Sequence, residues 1–432
     1  MAASSRPSDA PDATVAGDKA VASWYVITGG NDIWWRCESP AEQVGGRVVA
    51  IPEEQGNRAV LAPNDDTPFP WSMVVMKVMA GGKPQLETIT NAKRWWALAR
   101  TRRGLLSAHA DFPDHEGVAV FTRPDPPRAI LAGHMANQGI RVLAETDDNY
   151  FAPAKFNLFQ RHNKFGETEM MLHAKSFAAF GVNVFSTAWL RDAYYQGYQK
   201  FLGRAVARSV EMHVCRNHMP LSYWPTIEER DGPPRLGFMG SPSHVWDVNL
   251  AYSAFHAAKE LGWDTWMIGY SPGNPDPDVP EKITDEETGE EHWTHNEESR
   301  RVSAEWAKVI DVHKRWIQPE EYHRAALPID IGIAPIWHNA FTAGKSDIKA
   351  IEYTISGAAV VCANLPLYTS NGWKDGVNCL VANKPEEYGM QAVRLMKDPK
   401  MRAELVAAAQ EMVRTERNET HIRQEWTAAL GL

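Results

Sequence analysis

The chain has 432 residues, which is too long for one compact core and long enough for two α/β domains. Its formal net charge is −9 and it has no block rich in Lys and Arg, so its charge does not predict a nucleic-acid or anionic-membrane partner. No apolar run approaches the roughly 18 residues that a membrane-spanning helix needs. Residues 1–20 lack the apolar core of a signal peptide and are typical of a disordered tail.

The four cysteines indicate a reducing compartment. They lie far apart, at Cys37, Cys215, Cys362 and Cys379, and none belongs to a C-x-x-C pair. This spacing fits neither a disulfide framework nor the ligand set of a zinc site. We therefore expect reduced thiols in a cytoplasmic protein, and no metal site.

Short apolar runs alternate with amphipathic stretches of helical length, which is typical of a parallel sheet with helices on both faces. In the first half, the runs predict strands at 23–28, 47–51, 118–121, 140–144, 182–186 and 211–215. The amphipathic stretches predict helices at 126–137, 169–180 and 188–202. The pattern of residues 52–80 leaves their structure open.

A break at residues 228–234, with the sequence EERDGPP, predicts a linker because it combines charge, glycine and paired proline. The pattern then restarts with strands at 235–239, 264–269, 329–335 and 358–363, helices at 248–261, 319–326 and 346–356, and three closing helical stretches. Residues 271–300 are poor in apolar residues and predict a surface insertion. These features divide the chain into domains at 21–230 and 231–415.

Open parallel sheets bind ligands beyond the carboxyl ends of their strands, and three such turns are candidates here. The first strand leads into Gly29 and Gly30, whose backbone N–H groups can approach a phosphate closely, although the pair also fits a plain tight turn. The strand at 235–239 leads into Gly240, Ser241 and His244. Serines before a helix are also ordinary caps, and the histidine also fits a surface position.

The third turn leads into the helical sequence at 341–353, FTAGKSDIKAIEY. At about 100° per residue, Ile348, Ile351 and Ile355 form its buried stripe. Glu352 borders that stripe, where a carboxylate is costly unless a partner donates hydrogen bonds to it.

Lys345 and Lys349 lie near the start of the same helix. Cations there oppose the helix macrodipole, so a bound anion such as a diphosphate is a sensible companion. The alternative is a solvated helix face on which Lys349 and Glu352 interact with each other.

Several of these segments together resemble the family-4 retaining glycosyltransferases, and most of all a divergent branch found in bacteria and phages. The stretch FTAGKSDIKAIEYTISGAAVVCANLPLY is similar to the branch's phosphate and ribose helix with its following strand, and LGFMGSPSHVWDVNLAYSAF to the start of its donor domain. In the first half, WWRCESPAEQVG, VAVFTR, IRVLAETDDNYF, VNVFSTAWL and EMHVCRNHMP resemble further landmarks in the same order. The resemblance runs from about Trp24 to the C-terminus.

The resemblance implies a GT-B fold, in which two Rossmann-like, doubly wound α/β domains face each other across a cleft. Residues 416–432 would then form a helix that returns to the N-terminal domain. The implied activity is sugar transfer from a UDP or GDP type of nucleotide-diphosphate sugar, with retention and without a metal or other cofactor. The implied location is the cytoplasm of a bacterium or a phage-infected cell, without integral membrane contact.

The resemblance also implies roles for particular residues. Glu352 would bind the nucleotide ribose, and Asp147 and Asp148 would face the cleft from the acceptor domain as candidate catalytic residues, together with Lys345. The remaining donor-binding residues would be Gly29, Gly30, Arg36, Gly240, Ser241, His244, Phe341, Gly344, Ser346 and Lys349.

The sequence departs from the family at two places. Family members carry a second Glu eight positions before the ribose Glu, where this chain has Gly344. They also carry Arg and Lys in the donor loop, where this chain has Ser241 and then His244. The diphosphate charge would therefore be met by other cations, and an inactive homologue is an open alternative.

Other functions fit the same residues. The acceptor could be a small molecule, lipid, protein or glycan, or a hydroxymethylpyrimidine base of phage DNA. A nucleotide-sugar epimerase or a catalytically inactive binding protein could share the fold, because fold does not determine function.

Overall fold

The computed structural model contains two parallel β-sheets surrounded by helices. The residues that it describes are 22–27, 36, 39–51, 117–124, 129, 132, 136, 139–152, 166–227, 232–240, 244–269, 281–284, 291–294, 297–314 and 326–432. The predicted tail, the stretch at 52–80 and most of the predicted helices at 126–137 and 319–326 lie outside these residues.

The first sheet has six parallel strands in the order β2-β1-β3-β4-β5-β6. They are β1 (Ala22–Ile27), β2 (Arg47–Ile51), β3 (Val118–Thr122), β4 (Arg141–Thr146), β5 (Val182–Phe185) and β6 (Glu211–Val214). The helices between them are α1 (Ser39–Val44), α2 (Glu167–Ala178), α3 (Ala188–Leu202) and α4 (Arg204–Ser209). All six predicted strands are confirmed, and α3 begins where Thr187 accepts a hydrogen bond from the Leu190 N–H (3.1 Å), as an N-cap does.

The second sheet also has six parallel strands, in the order β11-β8-β7-β12-β13-β14. They are β7 (Arg235–Met239), β8 (Asp264–Ile268), β11 (Val312–Lys314), β12 (Ile331–Ala334), β13 (Ala359–Ala363) and β14 (Leu380–Ala382). The four predicted strands are confirmed. The edge strands β11 and β14 escaped prediction because each has only three residues.

The helices of this half include the predicted α8 (Ile348–Ile355) and the three closing helices α10 (Pro385–Lys397), α11 (Pro399–Glu416) and α12 (Glu419–Leu430). The predicted helix at 248–261 is instead two helices, α5 (Val245–Asn249) and α6 (Tyr252–Glu260). The backbone N–H groups of Leu250 and Ala251 donate to carbonyls three residues earlier rather than four. This change in the hydrogen-bond pattern separates α5 from α6. A short helix α9 (Pro366–Thr369) follows β13.

The predicted insertion at 271–300 contains more structure than its composition indicated. Glu281–Thr284 (β9) and Glu291–Thr294 (β10) pair as an antiparallel two-stranded sheet, and helix α7 (Glu297–Ala307) begins within the insertion. Low apolar content shows that a segment has little side-chain surface to bury. A hairpin can still form there, because its two strands are held together by backbone hydrogen bonds. The exact domain boundaries stay a prediction.

The last helix packs on the first sheet. Ile422, Trp426 and Leu430 of α12 share a buried cluster with Val120 of β3 and Leu143 of β4. Among the described helices none is long and apolar enough to cross a bilayer. The expected reduced thiols are confirmed for three cysteines, because Cys215, Cys362 and Cys379 are buried and free, and Cys37 lies outside the described residues.

The carboxyl ends of the two sheets face each other, and the loop after β12 bridges them. Three side chains that follow β4, β5 and β6 donate hydrogen bonds to this loop: Asn149 to the Ala340 carbonyl (2.9 Å), Thr187 to the Gly344 carbonyl (3.2 Å) and Asn217 to the Ser346 hydroxyl (2.7 Å). The cleft between the sheets therefore lies where open parallel sheets bind ligands.

Candidate functional site

Two aspartates follow β4 and meet two cations in the cleft. Arg123, at the end of β3, donates hydrogen bonds to Asp147 Oδ1 from Nε (3.0 Å) and from a terminal nitrogen (2.6 Å). The Lys345 ammonium, in the loop after β12, forms an ion pair with the Asp148 carboxylate. This pair joins the two sheets across the cleft, so the structure brings together the three residues predicted to be catalytic.

The charges of this cluster support one another. Burial acts to raise the pKa of Asp147, but Arg123 and Lys345 hold that pKa well below its usual range. Burial acts to lower the pKa of Lys345, but Asp148 and Asp147 raise it. Asp147 therefore stays a carboxylate and Lys345 an ammonium at neutral pH.

The backbone at Arg123 is strained. Its φ is 47°, in the left-handed region that residues other than glycine rarely adopt. Its N–H donates to the Glu145 carbonyl (2.7 Å), which helps to hold this turn. Such strain concentrates at functional sites, which supports the assignment of the cleft as one.

Helix α8 begins beside this cluster without a side-chain cap from its N-cap residue. Its N-cap residue, Asp347, is of a capping type, yet within the described part of the chain its side chain makes no capping hydrogen bond. Both Asp347 oxygens accept instead from Arg417 (2.7 and 2.8 Å), and one also accepts from Trp373 Nε1 (2.7 Å). The N–H groups of the first turn and the helix dipole together favour an anion at this end.

A chain of hydrogen bonds links three polar side chains at the second sheet. His244 lies between Asp247 and Lys349: its Nδ1 is 2.7 Å from Asp247 Oδ2 and its Nε2 is 2.9 Å from Lys349 Nζ. Burial and the neighbouring Lys349 lower the pKa of His244 to about 4, so the ring is neutral at pH 7. The partners then assign the ring proton to Nδ1, which donates to Asp247, while Nε2 accepts from Lys349.

Lys349 is a cation whose charge the protein only partly supports. Burial lowers its pKa to about 8, although Asp247 and Glu352 act to raise it. Its ammonium also lies 5.9 Å from the centre of the Phe238 ring. An anion next to Lys349 would stabilise its charged form.

Glu352 lies one turn after Lys349 and is only 1% exposed. The predicted buried stripe is confirmed, because Ile351 and Ile355 are buried and Ile348 packs against the same core. A glutamate at the edge of this stripe is unusual, because carboxylates are rarely fully buried. Lys349, whose pKa Glu352 acts to raise, is one charge that interacts with it.

Arg36 does not line the cleft as the sequence led us to expect. It is 1% exposed and forms a buried ion pair with Glu145, and one of its nitrogens donates to the Cys215 carbonyl (2.6 Å) and to Asn217 Oδ1 (3.0 Å). Burial raises the pKa of Glu145 to about 7, an effect that Arg36 opposes. The guanidinium therefore connects the end of β4 to the segment that follows β6. We assign it a structural role and not direct contact with a ligand.

Two glycines of the predicted site lie where a side chain would not fit well. A Cβ at Gly240 would come within 2.7 Å of the Phe238 ring and 3.3 Å of His244. A Cβ at Gly344 would lie 3.2 Å from Leu190 of α3. Leu190 of α3 therefore lies against the position at which the resemblance would place a second Glu.

The other predicted residues fall into two groups. Phe341 lies under the Lys345 ammonium, 4.8 Å from ring centre to nitrogen, and Ser346 accepts the hydrogen bond from Asn217. Gly29, Gly30 and Ser241 lie outside the described residues, so their predicted roles stay predictions.

Sequence reasoning assigned no role to Arg123, Asp247 and Asn217. A signal existed for Arg123, because it follows the apolar strand at its carboxyl end. Asp247 lies one turn after His244, but nothing in the sequence showed that the two side chains are in contact. Asn217 makes contacts with residues more than a hundred positions away, which a single sequence does not reveal.

Comparisons with known proteins support the fold. No family model matches the chain, and no curated protein matches it. Solved structures match it over nearly its whole length. HepE of Anabaena, solved in complex with UDP and glucose, has a TM-score of 0.57 at 11% identity, covering 95% of this chain and 99% of HepE.

Two trehalose-phosphate synthases are similar in the same way. OtsA, a trehalose-6-phosphate synthase, has a TM-score of 0.58 at 9% identity, covering 95% of this chain and 99% of its own. The UDP-forming synthase of Burkholderia xenovorans has a TM-score of 0.54 at 12% identity, covering 96% and 99%. The fold is GT-B. At these identities the likeness establishes the fold alone, and membership of family 4 stays a prediction.

We expect the Asp148–Lys345 pair to couple the two halves energetically. A double-mutant cycle with Asp148→Asn and Lys345→Met should give a coupling energy of about 1–2 kcal/mol in urea unfolding, because both side chains are partly buried (18% and 29% exposed). The exposed Lys308–Glu305 pair provides the control and should couple more weakly. Equal coupling in the two cycles would mean that the cross-cleft pair is open in solution.

Proposed function

We propose that this chain is a glycosyltransferase that transfers a sugar from a nucleotide-diphosphate sugar to an acceptor, with retention and without a metal. The observation that carries the proposal is the start of α8. There a helix N-terminus, Lys345, Lys349 and the buried Glu352 lie together, and Asp147 and Asp148 face them across the cleft.

The diphosphate would bind at the N-terminus of α8. Its negative charge complements the first N–H groups of the helix, and two lysines stand next to it. Lys349 is the better suited of the two to an incoming anion, because burial disfavours its charge in the free protein. These lysines would take the place of the Arg and Lys that the family carries in its donor loop.

The ribose would bind to Glu352. A buried carboxylate forms strong, charge-assisted hydrogen bonds with two vicinal hydroxyl groups, and its position one turn beyond Lys349 leaves the diphosphate at the helix start. The position of Glu352 on the helix is the one that the resemblance assigns to the ribose.

The known complexes of similar proteins favour a UDP-sugar. HepE has been solved with UDP-glucose, and a structure from E. coli that is similar to this chain has been solved with UDP-2-fluoro glucose. Another similar structure comes from work on glycosyl transfer with retention by trehalose-6-phosphate synthase. These statements hold for those proteins, and they support a UDP-sugar donor and retention as the proposal for this chain.

The charges of the cleft fit the chemistry of transfer. When the sugar–oxygen bond breaks, its electron pair goes to the diphosphate, the acceptor oxygen forms the new bond to the sugar, and the acceptor's proton passes to the diphosphate. Lys345, Lys349 and the helix start would stabilise the charge that develops on the diphosphate. Binding of the diphosphate would draw Lys345 from Asp148, which frees that carboxylate to accept a hydrogen bond from a sugar or acceptor hydroxyl. Asp147, whose pKa lies well below its usual range, can accept hydrogen bonds but cannot serve as the acid.

A second candidate is a binding protein that retains the donor site without turnover. Gly344 favours it, because the family's second Glu is absent and Leu190 closes over its position. Both candidates require donor binding, and only the first gives transfer or donor hydrolysis.

The donor site is tested by thermal unfolding with a panel of UDP and GDP sugars in the presence of EDTA. We expect at least one to stabilise the protein by about 2.7 kcal/mol when present at 100 times its dissociation constant. EDTA should leave this stabilisation unchanged, since lysines and a helix start supply the positive charge. If no nucleotide sugar shifts the transition, with or without added magnesium or manganese, the donor site is refuted.

Glu352→Gln should weaken nucleotide binding by about 1–3 kcal/mol, because neutral hydrogen bonds replace charge-assisted ones. The free variant should be no less stable than the parent protein. Calorimetry of UDP binding beside thermal melts separates the two effects, and the exposed Glu411→Gln on α11 serves as the matched control. Equal UDP affinity in the Glu352 variant and the parent would end the ribose assignment.

The pKa of Lys349, about 8, predicts a pH dependence of UDP binding. The lysine is charged below pH 8 and loses its proton above it, so UDP affinity should fall about tenfold between pH 7 and pH 9. Lys349→Met should bind UDP weakly at both values, and Lys349→Arg should bind equally well at both because its guanidinium stays charged. A parent affinity that does not change over this range would show that Lys349 does not meet the diphosphate.

A further inference from the structure

Arg417 occupies a buried position where the chain passes from α11 to α12. Its side chain is 1% exposed, and two of its nitrogens donate to the two oxygens of Asp347 (2.7 and 2.8 Å). The same guanidinium donates to the Asn217 carbonyl (2.5 and 3.2 Å), and the Arg417 carbonyl accepts from the Met219 N–H (2.8 Å). Arg417 therefore touches the exit of the first sheet and the start of α8 at once.

Asn217 completes a second route between the same places. Its amide accepts from Arg36 (3.0 Å) and donates to Ser346 (2.7 Å), the residue before Asp347. Arg36 pairs with Glu145, which lies two residues before Asp147. The start of α8 is thus tied through Ser346 and Asp347 to the strand that carries the cleft carboxylates.

The hydrogen bonds of Asp347 indicate a role for Arg417 beyond joining the first sheet to the start of α8. An aspartate at an N-cap ordinarily accepts from N–H groups of the first helical turn. Here both oxygens accept from Arg417 and one also accepts from Trp373, so neither is given to the helix. Without Arg417 the carboxylate would lose two of these donors, and a rotation of Asp347 from its present ψ of 22° to the extended backbone of a capping residue would let it cap the helix. That would place a negative charge where an anion is expected.

We propose that Arg417 is a positioning residue for the donor site: it holds the Asp347 carboxylate away from the start of α8 and so keeps the first N–H groups open to the diphosphate. The inference rests on the proposed function for the identity of the anion. The change in the state of the helix cap does not depend on it.

This role differs from that of a stabilising ion pair. A buried pair that only holds elements together can be replaced by apolar residues at little cost, or with a gain in stability. If Arg417 served only that purpose, its loss would act through stability, and Asp347 would not matter to the ligand.

The test compares Arg417→Met, Asp347→Ala and the double variant. In Arg417→Met, UDP affinity should fall more than tenfold, and hydrogen exchange at the Lys349 amide should become slower because Asp347 now caps it. In the double variant the extra protection should disappear and UDP affinity should recover to within threefold of the parent. A merely structural role predicts faster exchange and no rescue by Asp347→Ala.

A matched control is available at the same junction. Glu425 of α12 accepts from Arg216 (2.9 Å) and His218 (2.9 Å), next to Asn217, without touching Asp347. Glu425→Gln should loosen α12 without changing UDP affinity or exchange at Lys349. If it lowers UDP affinity as much as Arg417→Met does, the positioning role is overturned.

Two results must be distinguished from a failure of the positioning role: a parent protein that binds no UDP, and an Arg417→Met variant that does not fold. If the parent protein binds no UDP, the proposed function fails, and the exchange measurement alone decides whether Arg417 controls the cap. If Arg417→Met does not fold, Arg417→Lys takes its place. Lysine cannot reproduce the bidentate contact with Asp347, so it should show the same changes to a smaller degree.

Discussion

The ion pair between Arg417 and Asp347 is the interaction on which the geometry of the cleft depends. Burying two charges costs desolvation energy, which is offset only when the geometry is good and the remaining donors and acceptors are satisfied. Trp373 and the Asn217 carbonyl meet that condition. Because these groups come from both halves of the chain, the pair defines one arrangement of α8 relative to the first sheet. We infer that it contributes to geometry more than to stability.

The two lysines of the cleft already have partners within the protein. Lys345 pairs with Asp148, and Lys349 lies against a neutral histidine. A ligand that enters must replace one of these partners, so its binding energy is a difference between two sets of contacts. The benefit is that the cations are ordered before the ligand arrives, and such preorganised charges stabilise a leaving group without reorganisation. The two lysines differ in this respect, since only the first gives up a carboxylate.

How well the sequence predicted each feature depends on how far apart in the chain the contacting residues lie. Strands such as β12 and the stripe on α8 depend on periodicity within one segment, and they were predicted correctly. The residue types around Lys349 and Glu352 were also readable, because they lie on one helix. Arg36 was assigned to the cleft because sequence shows a residue's charge and not its burial. The Arg417–Asp347 pair joins residues 70 positions apart, and no local pattern signals it.

Gly344 has a consequence for how this chain can change over generations. A methyl group there would lie 3.2 Å from Leu190 and 3.4 Å from Trp189, both on α3, so a larger side chain at this position needs those neighbours to shift. A substitution of Gly344 would therefore act on the contact between the two halves of the molecule as well as on the cleft. A compensating change on α3, in the other half, would ease it. The tolerance of this position to substitution thus depends on the shape of its neighbour.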